Sequence, residues 1–183
     1  MNAKRLVRIA LFLVLTVIGG FIKIPVGAIC FTMQTVFVLS SGIFLGGKDG
    51  AMTQISYLIL GLIGVPMFTN GGGIFYFMQV SFGYLLAFPI TALLSGILIS
   101  RLKSLTKVKI WLVCVLSILP LYLFGAIYQT AILTLVNGIE LQPALITLLP
   151  LIVLYLIDAV TCGALAVIYP RIKGGKKSKV IAQ

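Results

Sequence analysis

One carboxylate interrupts the apolar run 150–169, and it is Asp158. An anion at membrane depth costs on the order of 2.5 to 3.5 kcal/mol on insertion scales, so something must compensate it. Counted from Pro150 it lies eight residues into its run, about 12 Å along a helix at about 1.5 Å per residue. That depth suits a pocket opening at the Pro150 end. Its helical neighbours at i−4, i−3, i+3 and i+4 are Leu154, Tyr155, Thr161 and Cys162, so no cation on its own helix can pair with it. Two readings stay open: an acid tied to a neighbouring helix by protonation or water, or an acid that binds a ligand. A proton relay would call for a second titratable group in the membrane. Amides and hydroxyls form a second set, Thr32, Gln34, Thr35, Asn70, Gln79, Ser81, Tyr84, Tyr128 and Gln129. Singly, each fits interhelical hydrogen bonding or an aromatic belt. Gathered around one carboxylate, they would bind a small polar ligand while aliphatic and aromatic walls bury its apolar part.

Other chemistry is excluded by residue type. The chain has no His, which removes a Ser-His-Asp triad, a Ser-His dyad and an H-E-x-x-H zinc site. With only three acidic residues as well, an intramembrane protease has no catalytic set. Cys30, Cys114 and Cys162 are far apart in sequence with no C-x-x-C pair, so neither a zinc knuckle nor a redox pair is indicated, and no metal site or cofactor is expected. Gly42-Ile43-Phe44-Leu45-Gly46-Gly47-Lys48-Asp49 follows the phosphate-binding P-loop as far as its Lys. It then fails at the Ser or Thr that binds magnesium. We read residues 46–50 as a tight cytoplasmic turn and place any ATPase on another chain.

The elements that must position these residues follow from hydropathy. The 183 residues are 61% hydrophobic and 9% charged, with a mean hydropathy of +1.21, whereas soluble domains are about a quarter charged. Residues 50–100 contain no Lys, Arg, Asp or Glu. The chain is expected to be an all-α integral membrane protein, one membrane domain of six transmembrane helices. The apolar runs are 6–22, 31–45, 51–68, 74–100, 110–136 and 150–169. A span takes about 17 to 25 residues, so the second is short, and the fourth and fifth are long. Pro89 and Pro120 fall inside the long ones, where a kink is expected. Lys and Arg of short loops stay cytoplasmic. Thirteen of the fourteen fall in the N-terminus (Lys4, Arg5, Arg8), the second loop (Lys48), the fourth loop (Arg101, Lys103, Lys107, Lys109) and the tail (Arg171, Lys173, Lys176, Lys177, Lys179). Only Lys23 falls on the opposite side. The N-in, C-in topology that results accounts for the net charge of +11 without nucleic acid, for which no aromatic-interleaved basic stripe exists outside the tail. The first run reads as retained rather than as a cleaved signal, because Gly19-Gly20-Phe21 leads into Lys23-Ile24-Pro25 instead of a small-residue cleavage site. The outer connections carry Pro25 and Gly27, the run Thr69-Asn70-Gly71-Gly72-Gly73, and Asn137-Gly138 through Pro143, all of them turn-forming. No internal repeat points to an inverted-repeat transporter.

Several of these segments resemble the BioY family of substrate-binding (S) components of energy-coupling-factor (ECF) transporters. Phe21-Ile22-Lys23-Ile24-Pro25 is similar to the family's first outer loop, and Phe31-Thr32-Met33-Gln34-Thr35 to its Phe-Thr-x-Gln-Thr segment. Residues 46–51 with Tyr57, Gly61, Gly64, Pro66, Phe68 and Gly71 to Gly73 resemble its glycine-punctuated third element. Gly83-Tyr84-Leu85-Leu86-Ala87-Phe88 and Tyr122-Leu123-Phe124-Gly125 resemble its fourth and fifth helices. The chain departs where many relatives have P-G-D-x-x-K, since Thr161 stands at the Lys position three after Asp158. The resemblance implies a six-helix bundle in the plasma membrane that captures biotin from outside and performs no chemistry itself. Its implied partners are a transmembrane coupling subunit and two ATPase subunits. It further implies that Asp158 accepts the ureido N–H groups, with Gln34, Asn70 and Tyr84 assisting. Tyr128 and Phe31 would supply apolar contact, with Gly72 and Thr161 beside the ligand. Ala10 and Val14 stand where the family's first helix docks on the coupling subunit, with the small-residue pattern half kept. A biotin-like acid such as lipoate, and a non-transporting structural subunit, remain as alternatives.

Overall fold

The computed structural model describes residues 3–26, 29–102 and 104–180, with the side chains of residues 29 and 173–180 outside the description. Gly27 and Lys103 of the loops, and the side chains of tail residues Lys173, Lys176, Lys177 and Lys179, therefore lie outside the described residues.

Within the six apolar runs the backbone breaks where turn-forming residues interrupt helix. The helix α1 (Ala3–Phe21) is followed by strands β1 (Lys23–Val26) and β2 (Ile29–Thr32), antiparallel in the register Ile24 to Phe31 and Pro25 to Cys30. The run 31–45 is thus not one helix. Phe31 and Thr32 belong to a strand, because Pro25 opposes helix upstream and aromatic and β-branched side chains suit extended pairing. The shorter helix α2 (Gln34–Leu45) ends at Gly46, whose φ of +90° lets α3 (Gly47–Ile63) start one residue later. The turn expected over 46–50 is therefore confined to Gly46, and residues 47–50 already belong to α3. A left-handed Gly64 (φ +117°) closes α3. A 3-10 turn (Ile74–Met78) precedes α4 (Phe82–Arg101). The helix α5 (Lys107–Ala131) runs on through a π turn (Ile132–Val136), and the short α6 (Leu141–Ile146) leads into α7 (Leu149–Val180). Pro89 and Pro120 lie inside α4 and α5 without ending either helix.

The fold is all-α apart from that hairpin. Segments Phe82–Arg101, Lys107–Val136 and Leu141–Ile172 are long and apolar enough to cross a membrane; α2 is short and α1 carries three basic residues. Large apolar side chains cover the outside: Phe75, Leu123, Leu135 and Val160 are all more than 60% exposed. Such a surface suits lipid rather than water.

Helix α4 is central and packs on α2, α3 and α5. Glycines let these backbones meet: a Cβ on Gly42 would lie 2.0 Å from the Ala92 carbonyl oxygen, and one on Gly96 2.2 Å from the Gly47 nitrogen. Polar side chains then bridge helices, as buried Gln54 donates to Thr16 (3.3 Å) and Ser41 (3.2 Å). At the basic end Arg5 reaches Asp49 in the first turn of α3, Nε lying 3.0 Å from both carboxylate oxygens. Both side chains are exposed enough that this pair contributes little.

Candidate functional site

At the opposite end from the Arg5–Asp49 pair, a cavity of about 160 Å³ opens between the helices. An apolar cavity of about 150 Å³ holds a benzene-sized molecule. This space therefore takes one ring-sized group, with anything longer leaving through the mouth. Its walls come from the hairpin, the start of α2, the 69–70 connection, the 79–81 segment, and α4, α5 and α7.

Asp158 lines the cavity and is 2% exposed. Its Oδ2 accepts the Tyr122 hydroxyl at 2.8 Å, across from α7 to α5. Oδ1 is buried and makes no hydrogen bond of ordinary geometry among the described residues, the Thr35 hydroxyl lying beside the carboxylate without meeting that geometry. One oxygen is thus anchored by a neighbouring helix and the other is left as an acceptor without a donor. A buried unsatisfied carboxylate oxygen is costly, so Oδ1 is suited to accept from a donor, water or ligand, that enters the cavity. The neighbouring helix thus takes one oxygen of Asp158 and leaves the other.

The remaining walls are held from behind. Gln34 opens α2, where its Nε2 donates to the Tyr57 hydroxyl at 2.7 Å, and Tyr57 donates on to the Met67 carbonyl at 3.2 Å. Thr32 donates to Gln34 Oε1 at 3.4 Å, so the amide is gripped on both sides. Removing the phenol oxygen by Tyr57→Phe should leave the buried Gln34 amide and the Met67 carbonyl short of a partner. A stability loss of about 1 to 3 kcal/mol is expected, read as a lower thermal midpoint in detergent, together with weaker ligand binding as Gln34 turns. Tyr84 donates to Gln129 Oε1 at 2.8 Å, and Gln129 donates to Thr147 Oγ1 at 2.9 Å. The Tyr84 ring meets Tyr122 edge-on, centroids 6.3 Å apart. That ring position requires Gly125, where a Cβ would fall 2.1 Å from Tyr84 Cε1.

Of the residues singled out from sequence, Phe31, Gln34, Asn70, Tyr84 and Asp158 line one cavity, as do Thr32, Thr35, Gln79 and Ser81. Four others do not: Gln129 is taken up behind the wall by Tyr84 and Thr147, and Tyr128, Thr161 and Gly72 are also absent from the lining. Tyr128 lies one residue off the inward face of α5, packs on Phe82 with centroids 5.9 Å apart, and donates to the Phe77 carbonyl. Thr161 turns back to donate to the Asp158 carbonyl at 2.9 Å. Gly72 serves close packing, since a Cβ there would lie 2.3 Å from the Val65 carbonyl oxygen. Ala10 and Val14 share the exposed face of α1. Tyr122, Tyr76 and Phe88 line the cavity without having been marked as site residues. A signal for Tyr122 was present: with Gly125 and Gln129 it recurs at i+3 and i+7, one helical face.

The model of the BioY family matches residues 1–177. The chain belongs to the BioY family. A BioY relative from Lysinibacillus sphaericus, named a probable biotin transporter, is 43% identical over 123 residues, covering 67% of this chain and 63% of its own length. Another from Pyrococcus horikoshii, named likewise, is 34% identical over 126 residues, 68% of this chain and 74% of its own. The chain thus aligns with less than two thirds of the first relative's length. Among solved structures, a crystal structure of the S-component for biotin from an ECF-type ABC transporter superposes with a TM-score of 0.76 at 27% identity, covering 91% of this chain and 92% of that one. With this likeness and its apolar helices, the BioY chain is an all-α membrane protein.

Proposed function

We propose that this chain is the substrate-capturing S component of an ECF-type importer, and that it binds biotin in the cavity floored by Asp158. The observation that carries the reading is the unpartnered Oδ1 of Asp158 inside a ring-sized cavity. A cyclic head bearing an N–H donor satisfies that oxygen, and the ureido ring of biotin is such a head. The dithiolane of lipoate has no donor to offer and would leave Oδ1 unsatisfied, so the lipoate alternative loses ground on chemistry. Gln34, Thr35 and Ser81 add neutral hydrogen-bonding groups around the head, and Phe31, Tyr84 and Phe88 cover its apolar faces.

In this reading α1, α2, α3, α4, α5 and α7 all traverse the plasma membrane, with both termini cytoplasmic and the cavity facing outward. The chain catalyses no reaction. Uptake is driven by two ATPases acting through a transmembrane coupling subunit, for which the exposed α1 face around Ala10 and Val14 is the docking candidate. Support comes from the likeness to the biotin S-component and from the separation of the cavity from the Arg5–Asp49 end. Mass spectrometry of small molecules that co-purify with the detergent-solubilised protein is expected to find biotin, and calorimetry of stripped protein to give saturable 1:1 binding. Absence of saturable binding would return the chain to a structural role.

A further inference from the structure

The cavity carries its one acid at the floor, and a complementary charge stands at its mouth. Lys23, on β1, is exposed, and its Nζ donates to the Thr69 carbonyl at 3.0 Å and to Asn70 Oδ1 at 3.4 Å. Thr69 and Asn70 both line the cavity, which fixes the ammonium at the rim without making it part of the wall. Among the described residues no other Lys or Arg side chain hydrogen-bonds to a lining residue: Arg5 bonds Asp49, and Lys109 bonds Ser104. An ammonium has three donors, and two are used here, so a third remains. Lys23 also takes the Oδ1 side of Asn70, which leaves the Nδ2 donors of that amide for another acceptor. The rim therefore presents N–H groups from two side chains to an incoming anion, while the floor presents an acceptor.

We infer that Lys23 is a specificity-determining residue that receives the terminal carboxylate of the ligand at the cavity mouth, together with the Asn70 amide. The inference rests on the proposed binding of biotin, whose ring head and carboxylate tail have the same polarity order as floor and rim. Because Thr161 supplies no cation and does not line the cavity, the tail has Lys23 as its available counter-charge.

The test compares biotin with its uncharged primary amide, by calorimetry on the solubilised chain, in the unmodified protein, Lys23→Gln and Lys23→Arg. Lys23→Gln is expected to weaken biotin binding about 3- to 10-fold, as fits a partly screened ion pair with a charge-assisted hydrogen bond. Binding of the amide should stay unchanged and Lys23→Arg should stay near the unmodified protein. Raising the salt concentration should narrow the preference for acid over amide in the unmodified protein and not in Lys23→Gln. Equal weakening of acid and amide would overturn the inference, since Lys23 would then act only by holding the 69–70 segment. So would unchanged binding of both. If the unmodified protein bound neither compound, the functional reading itself would fall and this inference with it; normal binding without any acid-over-amide difference would remove the inference alone.

Discussion

Asp158→Asn is expected to lower biotin affinity by about tenfold or more while leaving the protein folded. The side chain is 2% exposed and spans two partners, Tyr122 on Oδ2 and an empty acceptor position on Oδ1. An amide has only one oxygen. If that oxygen keeps the Tyr122 hydroxyl, the amide nitrogen points its donors at the place where the ligand must also donate. If the amide flips, the tyrosine loses its acceptor. Either way one hydrogen bond to a charged group is lost, on the order of 1.5 to 3 kcal/mol, which is about 10- to 150-fold in affinity. Folding should not suffer, because a neutral amide is easier to bury than a carboxylate with one unsatisfied oxygen. Calorimetric titration gives the affinity and thermal unfolding in detergent gives the stability. Undiminished biotin affinity in this variant would remove Asp158 from the binding site. Tyr122→Phe is a useful companion, since it frees Oδ2 and keeps both acceptor oxygens; its loss should be smaller than that of Asp158→Asn.

The largest stability effect is expected at the glycine crossing of α2, α3 and α4, far from the cavity. A Cβ on Gly96 would lie 2.2 Å from the Gly47 nitrogen, 2.4 Å from the Gly47 Cα and 2.7 Å from the Gly42 carbonyl oxygen. All three are backbone atoms, so no rotamer change relieves the clash and the helices must separate. Gly96→Ala should therefore cost about 1 to 3 kcal/mol or more, within the range for overpacked cores, and lower the thermal midpoint by several degrees. Gly163→Ala provides the opposite sign. Nothing lies within 4 Å of a Cβ at that position in α7, so the gain in helix propensity and the smaller unfolded-state entropy should leave stability equal or about 0.4 to 1 kcal/mol higher. Matching midpoints for the two variants would contradict the close-packed crossing.

Hydropathy and residue type were enough to read a helical membrane protein and to mark Asp158 as the acid inside an apolar run, because each of these is a property of short stretches of chain. The tight turn at Gly46 was legible for the same reason. What sequence could not supply is what depends on two distant stretches meeting. The pairing of Lys23–Val26 with Ile29–Thr32 takes Phe31 out of the helix that its apolar run suggested. The crossing of α5 and α7 gives Asp158 the Tyr122 hydroxyl from 36 residues away, while a rotation of about 100° per residue carries Tyr128, one residue before the buried Gln129, off the inward face. Lys23 shows the division most plainly. Charge counting isolates it as the lone outer cation, but only the folded chain brings its ammonium to Thr69 and Asn70 at the rim, because a cavity exists only once helix register and close approach have fixed which side chains face one another.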